Sequence, residues 1–183
     1  RPPLAAELAA QGAADGVLQL CERSRAELAL ADVAQALRCM ARCPDRGLMR
    51  ADERLVGLLA HLRGLLERQG TPGEVVELLG ALVGFDLRSE PLLECLGKCA
   101  LRQLDGFSPA QHVDLLAGFL ELGHADLPFL DRVCTELLPH VGELAPADCA
   151  RAAGALARAR LQPFELLDEL AERAVPLLGG LGD

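Results

Sequence analysis

Tryptophan and tyrosine are absent from this 183-residue chain, lysine occurs once, at Lys98, and serine three times. With five Phe as its whole aromatic supply, the chain lacks the residues that sandwiches and barrels draw on. No run reaches the roughly eighteen uncharged apolar residues of a membrane-spanning helix, so no membrane insertion is expected. A net charge of −9, with one Lys beside the arginines, argues against a free-standing nucleic-acid reader. Seven cysteines, an odd number, show no framework of close spacings in a chain this apolar, which suits a reducing compartment. What remains is a chain 51% apolar and dominated by Leu and Ala, the composition of helices.

The missing motifs also exclude the common chemistries. No Gly-x-Ser-x-Gly can be built from Ser24, Ser89 and Ser108, and no Gly-x-Gly-x-x-Gly occurs. Gly97-Lys98-Cys99 is not a phosphate loop, because the Ser or Thr after the lysine is missing and Leu92 replaces the leading glycine. Cys39 and Cys43, and Cys95 and Cys99, are each four apart on one helix face, where buried small apolar residues explain them more simply than zinc, even with His61 as a further ligand. His112 stands where other repeats have Val33, Val75 and Cys149, so it reads as a core substitute, while His124 and His140 fall at helix ends. Glu94, Asp131 and Asp168 share one column of the repeat, which is no catalytic dyad. No catalytic residue, metal, cofactor or small-molecule substrate is expected.

The chain repeats itself. Residues 70–106, 107–143 and 144–180 are three copies of a 37-residue unit, and 28–69 is an earlier copy stretched by five residues near Cys43-Pro44-Asp45-Arg46-Gly47. Pro72, Pro109 and Pro146 open units, Leu92-Leu93-Glu94, Phe129-Leu130-Asp131 and Leu166-Leu167-Asp168 recur inside them, and Pro139 and Pro176 close the last two. Each unit reads as two helices: an N-cap and Pro start the first (Thr71-Pro72, Ser108-Pro109), and a glycine such as Gly84 or Gly123 separates it from the second. Residues 1–27 hold a terminal helix pair or the remnant of a degenerate repeat, giving nine or ten helices in all. The expected fold is all-α, an α-solenoid of antiparallel helix-pair repeats with a 37-residue period, continuous over 28–183. Small residues in the middle of the first helices, Gly80 and Ala81, Ala117 and Gly118, Gly154 and Ala155, are expected to let neighbours approach closely, so that bulk there is costly.

The segments 28–42 (beginning Leu28-Ala-Leu-Ala-Asp-Val-Ala), 107–123 (beginning Phe107-Ser-Pro-Ala-Gln-His) and 166–176 (beginning Leu166-Leu-Asp-Glu-Leu-Ala) resemble the helical repeats of organellar RNA-metabolism proteins. These are the octotricopeptide repeats of green algae, the related heptatricopeptide repeats of apicomplexan and dinoflagellate mitochondria, and the helical region of the Fas-activated serine/threonine kinase family. The resemblance covers the chain from about Ala14 onward. It implies a right-handed solenoid in mitochondria, with the plastid as the other compartment, acting in RNA processing, stability or translation or as a ribosomal subunit. The nuclease-like domain of many relatives has no counterpart in this sequence. The chain starts with Arg rather than Met and without secretory-signal features, a start that a removed organellar peptide or simple trimming would leave.

Superposed repeats align polar residues of the first helices into one stripe: Asp32, Gln35 and Arg42; Glu74 and Glu77; Gln111, Asp114 and Glu121; Asp148, Arg151 and Arg158. In the resembling families this face would contact nucleotides, yet here its middle is acidic. Asp32, Gln35, Glu74, Glu77, Gln111, Asp114, Glu121 and Asp148 are therefore expected to meet a basic protein of a large organellar assembly. Arg38, Arg42, Arg46, Arg50 and Arg54 at one end, and Arg151, Arg158 and Arg160 at the other, are the candidates for contact with ribosomal RNA. The reading is a non-enzymatic structural or adaptor subunit of a mitochondrial ribonucleoprotein, the mitochondrial ribosome foremost. Its alternatives are a stand-alone single-stranded-RNA factor and a HEAT-like or armadillo-like scaffold of another mitochondrial complex.

Overall fold

Thr71 and Ser108 do at the start of their helices what their side chains allow. Each hydroxyl accepts the backbone N–H three residues on, from Glu74 at 3.4 Å and Gln111 at 3.3 Å, and those residues reach back to the N–H of Thr71 (3.0 Å) and Ser108 (2.9 Å). Pro72, Pro109 and Pro146 then occupy a first turn whose N–H groups need no helical partner. In this computed structural model, which describes residues 4–179, the helices are α1 (Leu4–Ala9), α2 (Ala14–Arg23), α3 (Leu30–Arg42), α4 (Glu53–Gln69), α5 (Pro72–Phe85), α6 (Glu90–Leu101), α7 (Pro109–Glu121), α8 (Leu127–Leu137), α9 (Pro146–Arg158) and α10 (Phe164–Gly179). Short 3-10 segments at 25–27, 46–51, 104–106 and 138–143 join them, and no strand occurs among the described residues, so the fold is all-α. Residues 1–3 of the N-terminal segment and the expected repeat end at 180 lie outside the described residues.

Three first helices end alike. Asp86 (φ 53°), Gly123 (φ 76°) and Arg160 (φ 57°) take the left-handed conformation, and the next N–H, from Leu87, His124 and Leu161, closes onto the carbonyl of Leu82, Phe119 and Leu156 at 3.0 Å each. The sequence reading put the first break at Gly84; instead α5 runs through it to Phe85, and Asp86, 37 residues before Gly123, makes the turn. Pro176 was expected to close its unit but lies within α10, whereas Pro139 does follow the end of α8.

The chain divides into two compact bodies, residues 1–100 and 101–183. In the first body α3 packs between α1 and α5, and α2 packs on α3 and α4. Its core includes Leu8, Val33, Leu37, Met40, Val75, Leu78 and Leu82, all fully buried, with Phe85 at the end of α5. Each such side chain contributes about 1.5–3 kcal/mol by leaving water. Cys99 of α6 lies so close to the α4–α5 junction that a Cβ on Gly70 would sit 2.6 Å from its Sγ, so a side chain at 70 would force the thiol to move. In the second body α7 packs on α8 and α9, and α9 on α10. Phe119 and Phe129, both buried, tie α7 to α8 with ring centroids 4.6 Å apart and tilted by 54°.

The small-residue expectation is half corrected. Ala81, Gly118 and Ala155 are buried, but Gly80 is exposed with open space around it, and a Cβ on Gly154 would meet only the tip of Arg158 at 3.4 Å. At 117–118 both residues are buried, whereas in the other two pairs the alanine is buried and the glycine is exposed (Gly80) or half-buried (Gly154), as a 100° step between successive helical residues allows.

Urea unfolding checks this division. Gly80→Ala is expected to stabilise by about 0.5–1 kcal/mol through helix propensity alone, and Ala81→Leu to destabilise by about 1–3 kcal/mol by overpacking. Arg160→Gly relieves a left-handed residue and raises stability by about 1 kcal/mol.

Candidate interaction surface

The stripe begins at the third residue of each first helix, where backbone N–H groups are unsatisfied. Asp32 accepts from the Ala29 N–H at 2.9 Å, Glu74 from Thr71 and Gln111 from Ser108, so three of the four side chains serve their own helix N-terminus. The signal for this was in the sequence as Thr-x-x-Glu at 71–74 and Ser-x-x-Gln at 108–111, the pattern of a capping box. Asp148 differs: it too follows an alanine N-cap, but its carboxylate accepts from Arg151 at 3.2 Å.

Further along, the two bodies diverge. On α3, Gln35 accepts from Arg38 Nε at 3.2 Å and donates to Cys39 Sγ at 3.4 Å. On α5, Glu77 is exposed and has no hydrogen bond or ion pair among the described residues, and the same holds for Arg42 at the end of α3. In the second body the stripe is closed on itself. Arg151 of α9 reaches Asp114 of α7 at 2.7 Å, and Arg158 reaches Glu121 at 3.9 Å. Each arginine thus meets the carboxylate 37 residues before it, on the adjacent helix. Opposite charges at matching offsets of the repeat carried that signal, which reading each stripe as one surface concealed.

The arginines of the first body are held as well. Arg54 lies half-buried between Asp52 and Asp15, both at 2.6 Å, and so links the start of α4 to α2. Its hydrogen bonds pull the Asp52 carboxyl down to about 2. Arg50 pairs with Asp86 at 2.9 Å, and Arg46 donates to the Ala41 carbonyl at 2.8 Å. Beside them Asp45 caps α2 by accepting the N–H of Ala14 at 3.0 Å, which holds its carboxyl below the usual range. Of the arginines singled out from the sequence, Arg42 and Arg160 alone make no side-chain contact of this kind among the described residues, and both are exposed.

The nucleophilic and metal-ligating side chains are arranged for packing. Burial lifts the Cys21 and Cys134 thiols to about 11, helped at Cys21 by Asp32 and at Cys134 by Asp131, so neither is a thiolate at neutral pH. Cys43 Sγ donates to the Cys39 carbonyl at 3.3 Å, while the Cys95 and Cys99 thiols face the carbonyls of Arg63 and Gly70 at 3.9 and 4.0 Å. His112 is buried against Phe107, its Nδ1 3.0 Å from the Ser108 carbonyl, and the Nε2 atoms of His112 and His61 are buried without a partner. His124 is buried on Phe119, and His140 lies 2.7 Å from Glu143. No three His, Cys, Asp or Glu side chains converge on a metal-sized space among the described residues, and none of their helices is long and apolar enough to cross a membrane.

No protein-family model matches the chain, and no curated protein matches it either.

The Asp114–Arg151 pair is exposed, so a double-mutant cycle with Asp114→Asn and Arg151→Gln is expected to give a coupling below about 1 kcal/mol that falls as salt is raised. For Asp52 the folded pKa lies below the unfolded value of about 3.9, so its stabilisation is complete at neutral pH and is lost as pH falls from near 4 through about 2. Urea midpoints measured across that window are expected to fall less for Asp52→Asn than for the parent chain.

Proposed function

We propose that the chain is a non-enzymatic helical-repeat scaffold: an α-solenoid of antiparallel helix pairs with a 37-residue period, serving as a structural or adaptor subunit of a large organellar assembly. The repeat reading is supported by the three left-handed helix ends at Asp86, Gly123 and Arg160 and by the prolines at the first turns of α5, α7 and α9. A solenoid presents an extended surface rather than a pocket, and its mechanism is to hold partners in a fixed geometry.

The observation that carries the choice of partner is the pairing of Arg151 with Asp114 and of Arg158 with Glu121. A single-strand reader needs a positive groove and stacking platforms. The α7–α9 surface instead offers cations already held by carboxylates, and the α3–α5 surface offers the unpaired carboxylate of Glu77. Such a face suits a basic protein segment, with Arg42 and Arg160 left as the points for an RNA phosphate. The resemblance to organellar RNA-metabolism repeats sets the assembly as a mitochondrial ribonucleoprotein, the mitochondrial ribosome in the first place.

Sedimentation of organelle lysate with and without ribonuclease, following this chain, tests the reading. Co-migration with a ribosomal subunit that collapses on digestion is the expected result. A large particle indifferent to ribonuclease would leave a protein-only scaffold, and a small species with steeply salt-dependent affinity for single-stranded RNA would overturn the adaptor role in favour of a stand-alone RNA factor.

A further inference from the structure

The second body carries an open groove of about 460 Å³ between the first half of α8 and the segment joining α9 to α10. Leu130, Cys134, Leu156, Leu161 and Pro163 line it, together with Leu127, which is itself 59% exposed. Phe164, the residue after Pro163, is 72% exposed. Scattered exposed apolar residues need no explanation, but two large ones beside a concave apolar surface do. The Cys134 thiol, pushed up to about 11 by burial, stays protonated and adds to the apolar lining.

The groove and the starts of α8 and α10 beside it carry mostly negative charge. Asp131 lines it, Asp126 opens α8, and Glu165, Asp168 and Glu169 lie on the first turns of α10. All five are exposed, and none makes an ion pair among the described residues. Asp126 spends one oxygen on the N–H of Phe129, at 3.3 Å. Opposing them is Arg160, since Arg132 is engaged with Glu136 at 2.9 Å. Asp131 and Asp168 are the column of repeat carboxylates that no catalytic role absorbed.

We propose that this groove docks a basic amphipathic helix of a partner protein, its apolar side chains against Leu127, Leu130 and Phe164 and its Lys or Arg side chains against Asp131, Glu165 and Asp168. A helix with one apolar and one cationic face satisfies both features at once. Nucleic acid is repelled by the same carboxylates. A small molecule would find too few converging polar groups to orient it. The site uses none of the carboxylates of the first-helix stripe and stands whether or not that stripe binds a partner.

The test titrates the full chain into a fluorescent helical peptide of leucine and lysine about 18 residues long, with a single apolar face, and reads anisotropy. Saturable binding is expected. Phe164→Ser and Leu127→Asn are each expected to weaken it about ten-fold, and Asp131→Arg combined with Asp168→Arg to weaken it and flatten its salt dependence. All four positions are exposed, and an unchanged urea midpoint verifies that each variant is folded. Glu67→Arg on α4, an exposed carboxylate that belongs to neither surface, is expected to leave the affinity unchanged. The proposal is overturned by absence of binding, by binding that the groove variants do not alter, or by loss on Glu77→Arg alone, which would move the peptide to the first-helix stripe. It is equally overturned if the chain forms concentration-dependent oligomers that Phe164→Ser abolishes, because the occupant is then a second copy.

Discussion

The first helices of this chain bury their apolar faces against one another and against the helices that follow them, and much of the remaining structure follows from that packing. α3 has α1 on one side and α5 on the other, and α9 lies against α7. Once Val75, Leu78 and Leu82 are committed to the interface with α3, the helix rotation is fixed, and each other position is assigned to a neighbour, to the second helix or to water. Ala81 must be small because it faces a neighbour, and Gly80, one residue away, need not be. The same rotation sets the arginines of α9 opposite the carboxylates of α7.

Charge in this protein is therefore as much internal as external. A net charge of −9 reads as a surface waiting for a basic partner, yet the carboxylates do unequal things. Asp32 and Glu74 complete helix starts, Asp52 and Asp15 hold Arg54, Asp86 holds Arg50, and Asp114 and Glu121 hold the arginines of the next first helix. Glu77 and the carboxylates near the α8 groove are among those that stay exposed and without an ion pair among the described residues, and a cationic segment there would gain the attraction of an uncompensated carboxylate.

The helix starts and helix types were legible because they rest on contacts between residues three or four apart. Thr71-Pro72 and Ser108-Pro109 named their helices, and the 37-residue offset, applied from Gly123, would have placed the first turn at Asp86 rather than Gly84. His112 as a core substitute was legible from its column, and the structure puts it in the core with one nitrogen unpartnered. The stripe was legible as a set of residues but not as a surface. Sequence alone placed Arg151 and Glu77 in one column without saying that one is already paired and the other exposed.

By itself the sequence determined an all-helical chain, the starting residues of its capped helices and the positions that must be apolar, since these depend on hydrogen bonds and periodicity within a single turn or two. Tertiary structure alone decided which carboxylate meets which arginine, that Gly70 lies close to the Cys99 sulfur, and that Leu127 and Phe164 stand beside an open apolar groove. Those outcomes depend on the rotation and offset of one helix against another. A shift of one residue turns a side chain by about 100° and so exchanges a buried partner for solvent.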